Sequence, residues 1–247
     1  MDDHDEQSEH DERDERISAL AALDEPLRRR VYRYVTAQGS PVGRDEVAAA
    51  LGVARSVAAF HLDRLAKVGL LDVEYRRPPG RTGPGAGRPA KLYRRTDAQV
   101  DVTLPERRYQ LAGELLVEAI AAAERDERPV VDAVRDVSAG AGHAVGSRAR
   151  QSLGRRPRAA EVTSTAMGVL AEHGYEPCVD AGDVVLANCP FHALAHQDAD
   201  LVCGMNLAFL EGVVDGLGAT AFHARLDPGE TRCCVRLERA RPRRTAV

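Results

Sequence analysis

The segment from residue 44 to 95 constrains this chain most, because its spacing admits few folds. DEVAAALGV is followed by ARSVAAFHLDRLAKVGLL, and Gly52 stands where the chain must turn sharply between the two. A left-handed backbone at such a turn is cheap only for glycine. In the second segment Ala58, Leu62 and Leu65 recur at i, i+4 and i+7. That spacing predicts a helix over 54–68 whose stripe packs on Val47 and Leu51 of a supporting helix over 44–51. Leu70 to Tyr75 and Lys91 to Thr96 then suit the two strands of a hairpin. RRPPGRTGPGAGRPA lies between them, and its four prolines and four glycines exclude helix and ladder pairing alike. Such a helix pair followed by a strand pair is a winged helix-turn-helix, a shape that lays its second helix in a DNA major groove.

Arg55 and Ser56 fall in the first turn of the reader helix, and Ala59, Phe60 and Arg64 continue its free face. Arginine can give two hydrogen bonds to a guanine edge, and an aromatic ring can touch a thymine methyl. The bland alternative is a solvated face on which Phe60 packs against a neighbour. From Glu74 to Arg95 there are seven basic residues, Arg76, Arg77, Arg81, Arg88, Lys91, Arg94 and Arg95, against one acid, a local charge of +6. Such a wing is expected to hold phosphates, with Arg76, Arg77, Arg81, Arg88 and Lys91 foremost, giving affinity but little sequence choice. Double-stranded DNA with an inverted-repeat operator is the expected partner, and two-fold half-sites make a homodimer the natural form of the protein.

A formal charge of −4 for the 247 residues does not oppose DNA binding, because the charge is unevenly spread. Residues 1–16 hold nine acids and two arginines, or −7, which leaves +3 for the rest. This acidic head is poor in apolar residues and is expected to be disordered. A winged helix-turn-helix domain follows over 17–100, with a helix opened by Asp24 and Pro26 and striped by Leu27, Val31 and Val35. Residues 101–128 read as a connecting and dimerising helix from Pro105 to about Asp126, with Leu111, Leu115, Leu116, Ala119 and Ile120 on one face. Residues 129–239 read as an α+β domain with a small antiparallel sheet, and 240–247 as a basic tail. In that domain two helical runs joined by basic residues 148–158 precede a hairpin turning at Ala181-Gly182, two further helices and a final strand pair.

No stretch approaches the ~20 apolar residues that span a bilayer, and no signal peptide opens the chain, so a cytoplasmic protein is expected. The excess of arginine over lysine, 32 to 2, fits a GC-rich, bacterial coding bias. GxSxG, P-loop and HExxH patterns are absent, and no enzyme is expected.

All five cysteines fall after residue 177. In a reducing compartment they are free thiols or metal ligands rather than structural disulfides. Cys189 is placed at a strand end, Cys203 near the start of a helix, and Cys233 and Cys234 on the last strand. Cys233 shares the parity of Val235 and Leu237 and therefore points inward, which makes Cys189, Cys203 and Cys233 the convergent three and Cys234 their substitute. Cys178, on a hairpin strand, reads as a core residue. A rival set for zinc is Cys189, His192, His196 and Cys203, the histidines one helical turn apart. A metal-free thiol switch is the third reading.

GRPAKLYRRT, NCPFHALAHQDADLVCGMN and RCCVRL, in that order, resemble the SufR-like bacterial regulators of iron-sulfur cluster biogenesis, within the broad ArsR/DeoR-type winged-helix class. The resemblance spans about residues 24–238. It implies a dimeric repressor whose C-terminal domain senses iron-sulfur or redox status through a 4Fe-4S cluster on three cysteines, corresponding to Cys189, Cys203 and Cys233. An iron left without a cysteine ligand would take His192, water or an outside molecule, and such a cluster is labile, which suits a sensor.

Overall fold

The computed structural model describes residues 3–76, 89–229 and 232–240, the first ten of them by backbone alone. Gln7–Val102 form one unit and the chain from Thr103 onward another, each built on its own apolar core.

In the N-terminal unit, α1 (Asp3–Ala22) leads into α2 (Pro26–Thr36). Residues 3–16 of the acidic head are thus helical rather than disordered. Glu, Gln and Arg of the head and the alanines that follow it favour helix, and Ala19, near the end of α1, is buried in the core. Glu25, not Asp24, caps α2, accepting from the Leu27 and Arg28 amides at 3.0 and 2.5 Å, with Pro26 as the first helical residue. Val31 and Val35 of α2 are buried, as the stripe requires.

A two-residue strand, β1 (Val42–Gly43), precedes the support helix α3 (Arg44–Leu51) and the reader helix α4 (Arg55–Lys67). Gly52 ends α3 at φ +66°, the left-handed turn expected of it. Ala58, Leu62 and Leu65 of α4 are fully buried with Val47 of α3. The hairpin β2 (Leu71–Arg76) and β3 (Ala90–Arg95) forms an antiparallel sheet in the order β1-β3-β2. Asp63 of α4 binds this hairpin to the reader helix. It accepts from Tyr93 Oη at 2.7 Å and from Lys91 Nζ at 2.5 Å.

The C-terminal unit holds five helices and a four-stranded antiparallel sheet among the described residues. Its helices are α5 (Tyr109–Arg125), α6 (Val130–Ser152), α7 (Ala159–Glu172), α8 (His192–Ala195) and α9 (Ala199–Leu217). Its strands β4 (Pro177–Asp180), β5 (Asp183–Leu186), β6 (Phe222–Leu226) and β7 (Val235–Arg239) run in the order β4-β5-β7-β6. The β4–β5 hairpin turns through Ala181 and Gly182, both at positive φ (51° and 94°), which is the backbone a two-residue hairpin loop demands.

Helix α5 begins at Tyr109 rather than Pro105. The Arg108 amide donates to the Pro190 carbonyl at 3.1 Å, and the Arg107 and Arg108 side chains bond backbone carbonyls of Cys189 and Glu172, so tertiary bonds hold residues 106–108 out of a helix. Nor is α5 a free connector, since Ala112, Leu115, Ala119, Ala122 and Ala123 are buried in the unit's main core. Val117 and Ile120 remain on its outer face, 70% and 54% exposed. The basic stretch from residue 148 is a connection only after Ser152, because α6 runs to that point. Among the described residues no helix is long and apolar enough to cross a membrane.

The centre of the unit is the crossing of α6 and α9. Gly142 and Gly146 of α6 face the backbone of Phe209 and Val213, while Gly212 and Gly216 of α9 face that of Ala139 and His143. A Cβ at any of the four would stand inside 3.0 Å of a backbone carbonyl on the other helix. Two GxxxG patterns thus interlock, each letting the opposite backbone approach. Both patterns are present in the sequence itself.

Two predictions follow from these packings. Gly142→Ala should cost about 1–3 kcal/mol through forced separation of α6 and α9. Gly140→Ala on the same helix meets nothing within 4 Å and should hold or raise Tm, since alanine favours helix by up to ~1 kcal/mol over glycine. Equal Tm changes in the two variants would contradict the packing.

The Asp63 clamp predicts a pH dependence. Partial burial works to raise the Asp63 carboxyl, but hydrogen bonds from Lys91 and Tyr93 outweigh it and hold the group below its ordinary 3.8. A depressed folded value means stability that is present above pH 3.8 and is lost as pH falls through that lower value. Asp63→Asn should therefore lower stability near neutral pH by of order 1 kcal/mol or less, the scale of an exposed pair. Calorimetry at decreasing pH should show the gap from wild type closing below that value, and a constant gap would contradict the clamp.

Candidate functional site

The reader helix presents Arg55, Ser56, Val57, Phe60 and Arg64 outward, with Ala59 partly covered. Phe60 is 63% exposed, so it does not pack into the core, although its ring meets His61 edge-on at 5.3 Å. Val57 lies three residues before Phe60 and widens this apolar spot, which the sequence reading had not included. Arg55 pairs with Asp45 of α3 at 2.5 Å. A base contact by Arg55 therefore exchanges one exposed carboxylate for a guanine edge.

His61 on the inner face was not anticipated. It is 7% exposed, 3.5 Å from Glu25, and burial lowers its pKa against the opposing pull of Glu25. It belongs to the joint between α2 and α4 rather than to the outward face.

The wing is less free than a count along the chain implies. Lys91 is held by Asp63, Arg94 by Asp72 directly across the β2–β3 register at 2.7 Å, and Arg76 by Glu74 at 2.7 Å. Asp63 and Asp72 lie outside the window counted above, and folding brings them to it. Lys91 acts first as a strap on the reader helix, whereas Arg76 keeps an exposed side chain. Arg77, Arg81 and Arg88 lie outside the described residues.

The second constellation stands at one end of the C-terminal sheet. Cys189 follows β5 and precedes α8, Cys203 lies in the second turn of α9, and Cys233 and Cys234 form a bend just before β7 rather than part of that strand. The Cys233 amide donates to the Leu186 carbonyl at 2.9 Å, and the Asp227 amide to the Cys234 carbonyl at 2.7 Å. Asp227 also pairs with Arg232 at 2.7 Å and Arg236 at 3.3 Å, which fixes the bend from its other side. Arg107 and Asn188 hold the Cys189 loop, the arginine donating to the Cys189 carbonyl at 3.1 Å and Asn188 Nδ2 to the Gly174 carbonyl at 2.6 Å.

These supports bring four thiols into a chain of sulfur contacts. Cys189 meets Cys233, Cys233 meets Cys234, and Cys234 meets Cys203. Cys234 thus links Cys203 to the Cys189–Cys233 pair. Strand parity would have turned Cys234 away, but parity does not govern a bend. Cys178, expected in the core, is instead exposed on the edge strand β4.

The thiol environment favours protons. The hydrogen bond with Cys233 and burial push Cys189 up strongly, and burial raises Cys203 despite its bond with Cys234. At Cys233 the bond with Cys189 pulls down, but the bond with Cys234 and burial prevail and push it up to about 11. Backbone amides also address the sulfurs, Phe191 at Cys189 and Val235 at Cys233. A metal entering here would displace protons, so its affinity would rise with pH.

Among the described residues no three His, Cys, Asp or Glu side chains are already spaced to hold a metal ion. Ligation would need these side chains to rearrange around an ion or cluster. The donor chemistry nevertheless fits a soft metal, with four thiols, low exposure and N–H groups aimed at sulfur. The zinc alternative is not assembled as a set. His192 and His196 are exposed with their Nε2 atoms 3.2 Å apart, while Cys189 and Cys203 make their sulfur contacts elsewhere.

Residues 23–74 match a family described as a helix-turn-helix domain. No curated protein and no solved structure matches the chain. The family match runs from just before α2 into β2, the elements that carry the reader helix and its support. Helix pair, strand pair and family match together show a helix-turn-helix domain in the N-terminal unit, which supports a DNA-binding transcriptional regulator.

Proposed function

We propose that the protein is a cytoplasmic, dimeric repressor whose C-terminal unit senses iron-sulfur or redox status through a cysteine-ligated cluster, of the 4Fe-4S type. The observation that supports this reading is the convergence of cysteines from three separate segments at one sheet end. Cys189, Cys203 and Cys233 would be the ligands, with Cys234 in reach of the same centre. When bound, the cluster supplies a group that is readily lost or oxidised. The chain's own residues do the rest: Arg107 and Asn188 fix the Cys189 loop, and the Asp227 contacts fix the Cys233 bend.

The same loop gives a route for coupling within the unit. Arg107 and Arg108, close to its first residue, bond Cys189 and Pro190 directly, so movement of the cysteine loop would be felt where the chain enters the unit. Val117 and Ile120 on the outer face of α5 are the surface we assign to the dimer contact. The cluster-bound dimer would be the form with the higher operator affinity. Its differential affinity for the two states sets the limit of that effect.

The thiol contacts themselves favour a second reading, a metal-free switch. Peroxide would take two electrons and two protons from a pair such as Cys189 and Cys233, leaving a disulfide and water.

Anaerobic purification followed by iron, sulfide and zinc analysis separates these readings. Iron and sulfide in wild type, lost in Cys189→Ser, Cys203→Ser and Cys233→Ser but kept in Cys178→Ser, is the expected outcome. Zinc without sulfide, or no metal, would overturn the cluster.

On the DNA side, Arg55→Ala should relax preference at one base position by about 1–3 kcal/mol. Arg76→Ala should weaken all sequences alike and lower the salt slope by about 0.9. Binding to a panel of operator variants at several salt concentrations measures both, and indistinguishable effects would contradict the division between reader helix and wing.

A further inference from the structure

Tyr175 and Asn206 are polar side chains set deep in the apolar core of the C-terminal unit, 0% and 1% exposed. Met205, Phe209, Leu210 and Phe191 are buried in the same core. An amide in such surroundings costs stability unless its groups find partners, and a leucine would pack there at no such cost. The partners Asn206 has are few and directional. Tyr175 Oη donates to Asn206 Oδ1 at 2.6 Å, and Asn206 Nδ2 donates to Cys233 Sγ at 3.2 Å.

The order of these bonds matters. The phenol takes the amide oxygen, which leaves the amide N–H₂ for the sulfur. A thiolate accepts from that group, whereas a reversed amide would set oxygen against negative sulfur. Asn206 is one helical turn from Cys203 on α9, so a single helix carries both a ligand and a donor to the sulfur of another. The backbone amides of Phe191 and Val235 approach the same group of sulfurs, but they are present whatever the side chains. Among the described residues Asn206 is the side-chain amide hydrogen-bonded to a cysteine sulfur.

We propose that Asn206, oriented by Tyr175, is a positioning residue for the cysteine site: its N–H···S hydrogen bond holds Cys233 in the ligating direction and stabilises it as a thiolate once a cluster is bound. The proposal rests on the reading of the cysteines as cluster ligands. Hydrogen bonds to ligating sulfur withdraw charge from it, which raises the reduction potential and slows ligand loss. Outer partners of metal ligands are worth 10- to 100-fold in metal affinity.

The test uses the full chain, reconstituted anaerobically with ferrous iron and sulfide, in wild type, Asn206→Leu and Tyr175→Phe. Two quantities are read, the midpoint potential of the cluster and the rate at which an iron chelator strips it. Asn206→Leu should shift the potential to more negative values and release iron about 10- to 100-fold faster. Tyr175→Phe should move both in the same direction by less. A purely structural role would change the thermal midpoint of the metal-free chain without moving the potential. Wild-type potential and iron release in Asn206→Leu would overturn the proposal while leaving the cluster reading intact. If Asn206→Leu does not fold, Tyr175→Phe decides, and wild-type values there overturn it too. A wild-type chain that takes up neither iron nor sulfide would overturn the cluster reading and this inference with it.

Discussion

Helices α6 and α9 meet backbone against backbone, and the rest of the C-terminal unit depends on that contact. Four glycines make it, and no other residue leaves room for the opposing carbonyls. The close crossing places α9 in the middle of the core with apolar neighbours on most sides. One face of α9 is then free to carry Cys203 and Asn206 toward the end of the sheet, where Cys189 and the Cys233–Cys234 bend arrive from β5 and before β7. A wider crossing would leave the same cysteines on the same elements without bringing their sulfurs together.

The N-terminal unit solves a different problem, that of holding a reader helix rigid while leaving one side of it bare. Ala58, Leu62 and Leu65 bury the inner side, and Asp63 ties the hairpin to the helix through Tyr93 and Lys91. Phe60, Val57 and Ser56 stay outside. Burial pushes the Tyr93 hydroxyl up to about 12, with the Asp63 hydrogen bond in support, so the phenol remains a donor at any physiological pH. Basic residues near the helix are partly neutralised by acids of the same unit. Electrostatic attraction to DNA is correspondingly more focused than a charge of +6 along the chain implies.

Local chemistry made much of this legible. Gly52, Pro26 and the Ala181-Gly182 turn were readable because each meets a backbone requirement within two or three residues of itself. The buried stripe of α4 was readable from its period. The places of Cys189 after a strand and of Cys203 early in a helix were readable because each follows from local signals. What escaped depends on pairing across space. Asp72 neutralises Arg94 only because register puts them opposite each other. Tertiary bonds to Cys189, Pro190 and Glu172 delay α5 to Tyr109. Cys234 joins the thiols because the chain bends there before β7 begins. The α6–α9 crossing was written in the sequence as two GxxxG patterns, whereas nothing near Asn206 in the sequence signals its bond to Cys233.

The central claim is that the cysteine site and the reader helix belong to one switch. Its most direct measurement is the anaerobic affinity of the cluster-bound and cluster-free full chain for one DNA site, selected from a random pool by the wild-type protein, at fixed salt. The expected result is tighter binding by the cluster-bound form by about 1–3 kcal/mol, roughly 5- to 150-fold. Equal affinities of the two forms would contradict the claim and leave the cysteine site without a regulatory part in DNA binding.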